Sequence, residues 1–134
     1  MANTMLEFFI PMIPPTCTHQ EKKVRIISGK PVFYEPPQVK AARQKLMGNL
    51  MKYRPDKPIK GGVWLLVKWC FPKGKHKGGE YKITKPDTDN LQKLLKDCMT
   101  DTGYWLDDAQ VASEICEKFW ADLPGIYIKV VELL

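Results

Sequence analysis

The sequence predicts one α+β domain spanning residues 1–134, a mixed β-sheet of about four to five strands carrying two main helices. Three observations predict it. The chain has 134 residues, a length that one hydrophobic core accommodates. Val63–Phe71 is apolar at nearly every position, as a central strand covered on both faces would be. Two other stretches repeat their apolar residues at helical spacing, and strand-like segments flank them.

Met5–Met12 alternates, with Leu6, Phe8 and Ile10 on one side, and Pro11, Pro14 and Pro15 end it. Val24–Ile27 and Val32–Tyr34 flank Ser28-Gly29-Lys30-Pro31, a hairpin signal. Pro36-Pro37 opens a helix with Val39, Ala42, Leu46, Leu50 and Tyr53 on one stripe, closing before Pro55. After the central strand, Pro72–Gly79 holds three lysines and three glycines, the composition of a flexible basic loop. From Asp89, Leu91, Leu94, Leu95, Cys98 and Met99 recur at helical spacing until Gly103. Gln110–Trp120 and Ile126–Leu133 then read as two strands joined around Pro124-Gly125.

Composition narrows the function classes. An apolar fraction of 44% and a charged fraction of 27% are those of an ordered globular protein, which sets disorder aside. No apolar run approaches the roughly 20 residues that cross a bilayer, and Met1–Ile13 lacks the marks of a signal peptide, so a cytoplasmic protein without membrane contact is expected. Cys17, Cys70, Cys98 and Cys116 form no C-x-x-C pair. Even with His19 and His76 they fall short of a zinc set, and they read as reduced thiols.

The net charge of +6 hides a division. Residues 1–85 hold 17 Lys/Arg against 5 Asp/Glu, whereas residues 86–134 hold 4 against 10. The basic part suits a polyanion such as DNA, whose phosphates release counterions to lysines. Acids brought beside that backbone repel it unless a divalent cation intervenes, which raises a metal-dependent nuclease. A solvated acidic face is the commoner explanation of charge alone.

Lys85-Pro86-Asp87-Thr88-Asp89-Asn90-Leu91 runs from an extended segment into a helix N-terminus. Asp87 and Asp89, two apart, can point to one side and share a hard cation such as Mg²⁺, which takes one or two protein carboxylates. Taken alone, D-x-D is more often a helix cap. Asp89, Lys93 and Asp97 follow at i, i+4 and i+8, a polar stripe that reads either as salt bridges or as a cation beside a phosphate. Asp107 and Asp108 precede the next strand, and the helix and turn can return them toward Asp87 and Asp89.

These residues resemble the RusA-type Holliday junction resolvases, whose core pattern is similar to K/R-P-D-x-D-N-L-x-K-x-x-x-D followed by G-x-W-x-D-D-x-Q. The chain reads Lys85-Pro86-Asp87-Thr88-Asp89-Asn90-Leu91-Gln92-Lys93 with Asp97, then Gly103-Tyr104-Trp105-Leu106-Asp107-Asp108-Ala109-Gln110. Looser similarity runs through Lys118, Pro124–Ile128 and Ile10–Pro14. Cys17–Lys30 and Lys73–Lys82 depart from the compact pattern.

The resemblance implies that Asp87, Asp89 and Asp108 bind Mg²⁺, with Mn²⁺ able to substitute, and that Asp107 supports them. Lys93 is implied to be catalytic or positioning, Asn90 to stabilise the turn, and Asp97 and Gln110 to be structural. No organic cofactor is expected. The implied activity is in-line phosphodiester hydrolysis that resolves four-way junctions by paired symmetrical nicks, in DNA recombination and repair, within a bacterial or phage-infected cell. A two-fold junction calls for a homodimer. Lys73, Lys75, Lys77, Lys82 and Lys85 are expected to grip the DNA backbone. The alternatives are a non-catalytic binder of branched DNA and a general flap or single-strand nuclease.

Overall fold

The structure, a computed structural model, describes residues 3–18 and 23–133. His19 therefore lies outside the described residues. In chain order the elements are β1 (Met5–Pro11), β2 (Lys23–Ile27), β3 (Lys30–Tyr34), α1 (Pro37–Leu50), β4 (Val63–Pro72), α2 (Thr88–Asp101), β5 (Val111–Ala121) and β6 (Gly125–Glu132). A short 3-10 turn, Asp108–Gln110, leads into β5. The expected α+β class holds, with two helices and a four-stranded mixed sheet in the order β1-β6-β4-β5. The β2–β3 hairpin forms a second, separate sheet.

Pairing in the main sheet is antiparallel for β1 with β6 and for β6 with β4, and parallel for β4 with β5. Parallel neighbours need a long crossover, and α2 lies within the one that joins β4 to β5.

Val63, Leu65, Val67, Trp69 and Phe71 of β4 are at most 3% exposed. They share the core with Ile10, Ile126, Ile128 and Val130 of neighbouring strands and with Leu46, Leu50, Leu91, Leu94, Leu95 and Met99 of the helices. Burial of each such side chain contributes about 1.5–3 kcal/mol. The alternate residues of β4, Trp64, Leu66, Lys68 and Cys70, are only half-buried. The expectation of a strand covered on both faces is thus corrected: one face packs, and the other stays partly open beside Met5, Ile115 and Tyr127.

The apolar stripe of α2 faces the core, which turns Asp89 and Lys93 outward to solvent. Gly103 has φ +92°, a left-handed conformation that glycine adopts without strain, and it ends the turn after α2. At Gly125 a Cβ would overlap the Phe9 ring, so this β6 position admits only glycine at the observed spacing. No helix among the described residues is long and apolar enough to cross a membrane.

The Lys73–Gly79 loop is bonded to the end of β5. The Lys73 amide donates to Ala121 O and the Gly79 amide to Trp120 O. His76 also stacks on Trp120 with 4.1 Å between ring centroids.

Candidate active site

The approach to α2 sets the site. Lys82 Nζ donates to Thr84 Oγ1 at 2.5 Å and to Lys85 O at 2.6 Å, and Lys118 Nζ donates to Thr84 O at 2.7 Å and Pro86 O at 2.8 Å. The Lys85–Pro86 peptide is cis. Asp87 follows as the N-cap residue of α2, with extended φ −71° and ψ 149°, yet its side chain makes no capping hydrogen bond. Its nearest charged partner is Lys85, at 3.7 Å. The commoner role of an acid here, a cap, is therefore not the one Asp87 fills. Asp89 stands exposed in the first turn and has no hydrogen-bond or ion-pair partner among the described residues.

One turn further, Lys93 Nζ lies 3.1 Å from Asp97 Oδ1 and 3.5 Å from Asp108 Oδ2. The hydrogen bond that Lys93 donates to Asp97 raises the Lys93 pKa above the ordinary lysine value, and the nearby Asp108 charge adds to this. Lys93 is therefore a fixed positive charge, suited to offsetting negative charge rather than shuttling protons.

Asp108 owes its place to the turn around it. Asp107 Oδ1 accepts the Ala109 amide, and Gln110 Oε1 accepts the amides of Leu106 and Asp107. Gln110 Nε2 donates in turn to Ile59 O and Gly61 O, fixing this turn to the segment before β4. Asp107 thus spends one oxygen on the turn that presents Asp108, and Gln110 ties that turn to the segment before β4.

Asp108 reaches Lys93 in the second turn of α2, while Asp87 stands at its start. Among the described residues no three His, Cys, Asp or Glu side chains form a group ready to hold a metal ion. Tyr104 and Trp105, in the link after α2, are buried, and the chain emerges at Asp107.

Two hollows flank Lys93. One, of about 420 Å³, is lined by Arg43, Lys93, Asp97, Thr100 and Asp108 among others; the second, of about 380 Å³, by Asp89, Gln92, Lys93, Glu114 and Cys116 among others. Between α2 and β5 runs a relay that sequence reasoning missed. Trp69 Nε1 donates to Gln92 Oε1 at 2.9 Å, Gln92 Nε2 to Glu114 Oε2 at 2.9 Å, and Lys96 Nζ to Glu114 Oε1 at 2.8 Å. Burial pushes the Glu114 carboxyl up, but the hydrogen bonds from Lys96 and Gln92 outweigh it and hold the pKa below the usual value. The relay fixes the rotation of α2 on the sheet and so the outward direction of Asp89 and Lys93. Arg43 was also unforeseen; it binds Glu35 at 2.8 Å and lines the first hollow.

The five lysines expected on DNA divide. Lys75, Lys77 and Lys85 are exposed, and Lys73 is half-exposed with Asp122 at 2.8 Å. Lys82 differs from the other four: it is only 7% exposed, and its ammonium lies over the Trp120 ring at 4.5 Å and donates to the Lys85 carbonyl.

Residues 12–131 match the family model described as Endodeoxyribonuclease RusA. The chain is 30% identical over 130 residues to a crossover junction endodeoxyribonuclease rusA of Lactococcus phage r1t, covering 95% of this chain and 96% of that protein. It is also 29% identical over 120 residues to the uncharacterized protein YqaN of Bacillus subtilis (strain 168), covering 81% of this chain and 84% of that one.

Proposed function

The chain belongs to the endodeoxyribonuclease RusA family, and from that premise we propose that it resolves Holliday junctions by paired symmetrical nicks, all 134 residues acting as one nuclease domain. The observation that carries the reading is the Lys93–Asp108 contact, one helical turn from the unpartnered Asp89, within the stretch whose pattern resembles the family's.

Asp87, Asp89 and Asp108 would hold a divalent cation, Mg²⁺ with Mn²⁺ able to replace it, and Asp107 would be a supporting carboxylate of the same site. These donors are hard carboxylate oxygens, and neither Asp87 nor Asp89 is used as a side-chain cap, which suits a cation that completes its shell with water and substrate phosphate. When bound, such a cation supplies Lewis acidity toward the scissile phosphate. Lys93 lends its fixed charge beside the same phosphate. Lys73, Lys75, Lys77 and Lys85 grip the backbone without reading bases.

Two opposed strands need two equal sites, so the enzyme acts as a C₂ homodimer on branched DNA. The half-open sheet face supports a second copy, since Met5 and Ile115 leave 62% and 45% of their surface exposed there. By likeness to the phage protein, the enzyme serves recombination and repair in the cytoplasm of a bacterial or phage-infected cell.

The test is a Mg²⁺ titration of a synthetic four-way junction, run beside linear duplex and flap substrates, with wild type and Asp89→Asn. Paired nicks on the junction that vanish in Asp89→Asn, with binding retained, are expected. Binding without any metal-dependent cutting would refute the reading, and equal cutting of all substrates would replace it with a general nuclease.

A further inference from the structure

Lys82 is an ammonium taken out of water with no carboxylate beside it among the described residues. Such burial is costly unless other groups stabilise the charge. Here the stabilising groups are the faces of Trp120 at 4.5 Å and Phe71 at 5.2 Å, and the oxygens of Thr84 and Lys85. Lys118 completes the arrangement through the carbonyls of Thr84 and Pro86. Two cations thus collect three consecutive carbonyls, Thr84, Lys85 and Pro86, immediately before Asp87. Burial, and then the like charge of Lys118, lower the Lys82 pKa, which marks the strain of placing both there.

We propose that Lys82 and Lys118 are positioning residues that clamp the Thr84–Pro86 carbonyls and thereby fix where the Asp87 and Asp89 carboxylates stand. The inference rests on reading those acids as the cation ligands. Losing a side chain that orients a ligand typically costs 10- to 100-fold in metal affinity or activity; a clamp that only sets ligand position acts through affinity.

The experiment compares wild type with Lys82→Met, Lys118→Met and the conservative Lys118→Arg. Paramagnetic broadening of the Asp87 and Asp89 amide resonances by Mn²⁺, without DNA, reports metal affinity directly. In either Met variant the Mn²⁺ midpoint is expected to rise about tenfold. The Mg²⁺ midpoint for junction nicking rises with it, the maximal rate returns at high Mg²⁺, and metal-free junction binding stays unchanged; Lys118→Arg restores most of the affinity. Lys118 is half-buried on β5, so Lys118→Met alone decides the matter should Lys82→Met fail to fold. An unchanged Mn²⁺ midpoint, or nicking reduced by one factor at every Mg²⁺ concentration, overturns the clamp while leaving the nuclease reading intact. Wild type that neither binds Mn²⁺ at these amides nor nicks overturns both.

Discussion

Lys93 and Asp108 face each other at 3.5 Å, joining α2 to the turn that begins β5. The contact brings one acid from beyond the helix to the polar stripe that Asp89 begins. Lys93→Met should therefore leave the fold and junction binding intact but reduce nicking by about 10²- to 10³-fold, the loss typical of a transition-state charge partner. Single-turnover rates at saturating Mg²⁺ check this; a reduction under threefold would remove Lys93 from the chemistry.

Gln92 is 4% exposed and satisfies both Trp69 and Glu114. Gln92→Leu strands a buried indole N–H and should lower stability by about 1–3 kcal/mol. A urea melt reads the change as a lower midpoint with an unaltered slope.

Glu114 gives stability a pH dependence of known sign. Its folded pKa lies below the unfolded one, so the contribution is complete above the ordinary glutamate range and is lost as pH falls through the folded pKa. Urea midpoints measured downward from pH 6 should fall more steeply for wild type than for Glu114→Gln. Parallel curves would contradict the assignment.

Burial pushes the Cys98 and Cys116 thiols up to about 12. Both should resist iodoacetamide at pH 8 until urea is added, as mass spectrometry of the labelled peptides would show. Because the folded pKa is the higher one, these groups favour the fold below the ordinary thiol pKa, and that contribution is lost as pH rises toward 12.

Lys75→Ala and Lys77→Ala should each weaken junction binding and reduce the slope of log affinity against log salt by about 0.9. Lys82→Met should leave that slope unchanged, since its ammonium is buried. Binding isotherms across a salt series distinguish these outcomes.

Much of the architecture was legible because local patterns decide it. The leucine spacing of α2, the prolines opening α1 and the stop at Gly103 each act within one or two turns of chain. The open side of β4 was not legible: Trp64 and Leu66 are as apolar as Val63 and Leu65, and only the placement of both helices on one face tells them apart. The burial of Lys82 was not legible for a similar reason. In a glycine- and lysine-rich stretch it resembles its neighbours, and what covers it, Phe71 of β4 and Trp120 of β5, is brought together only by the sheet. The acids announced themselves by spacing, whereas Glu114 became visible only once β5 lay beside α2.

The crossover that joins the two parallel strands has a consequence for how this protein can change over time. Asp87, Asp89, Lys93 and Asp108 all lie between the end of β4 and the start of β5, in a single uninterrupted length of polypeptide. Remodelling of the β2–β3 hairpin, which belongs to a separate sheet, leaves that length untouched. The residues proposed to cut can thereby be inherited as one block while the hairpin varies.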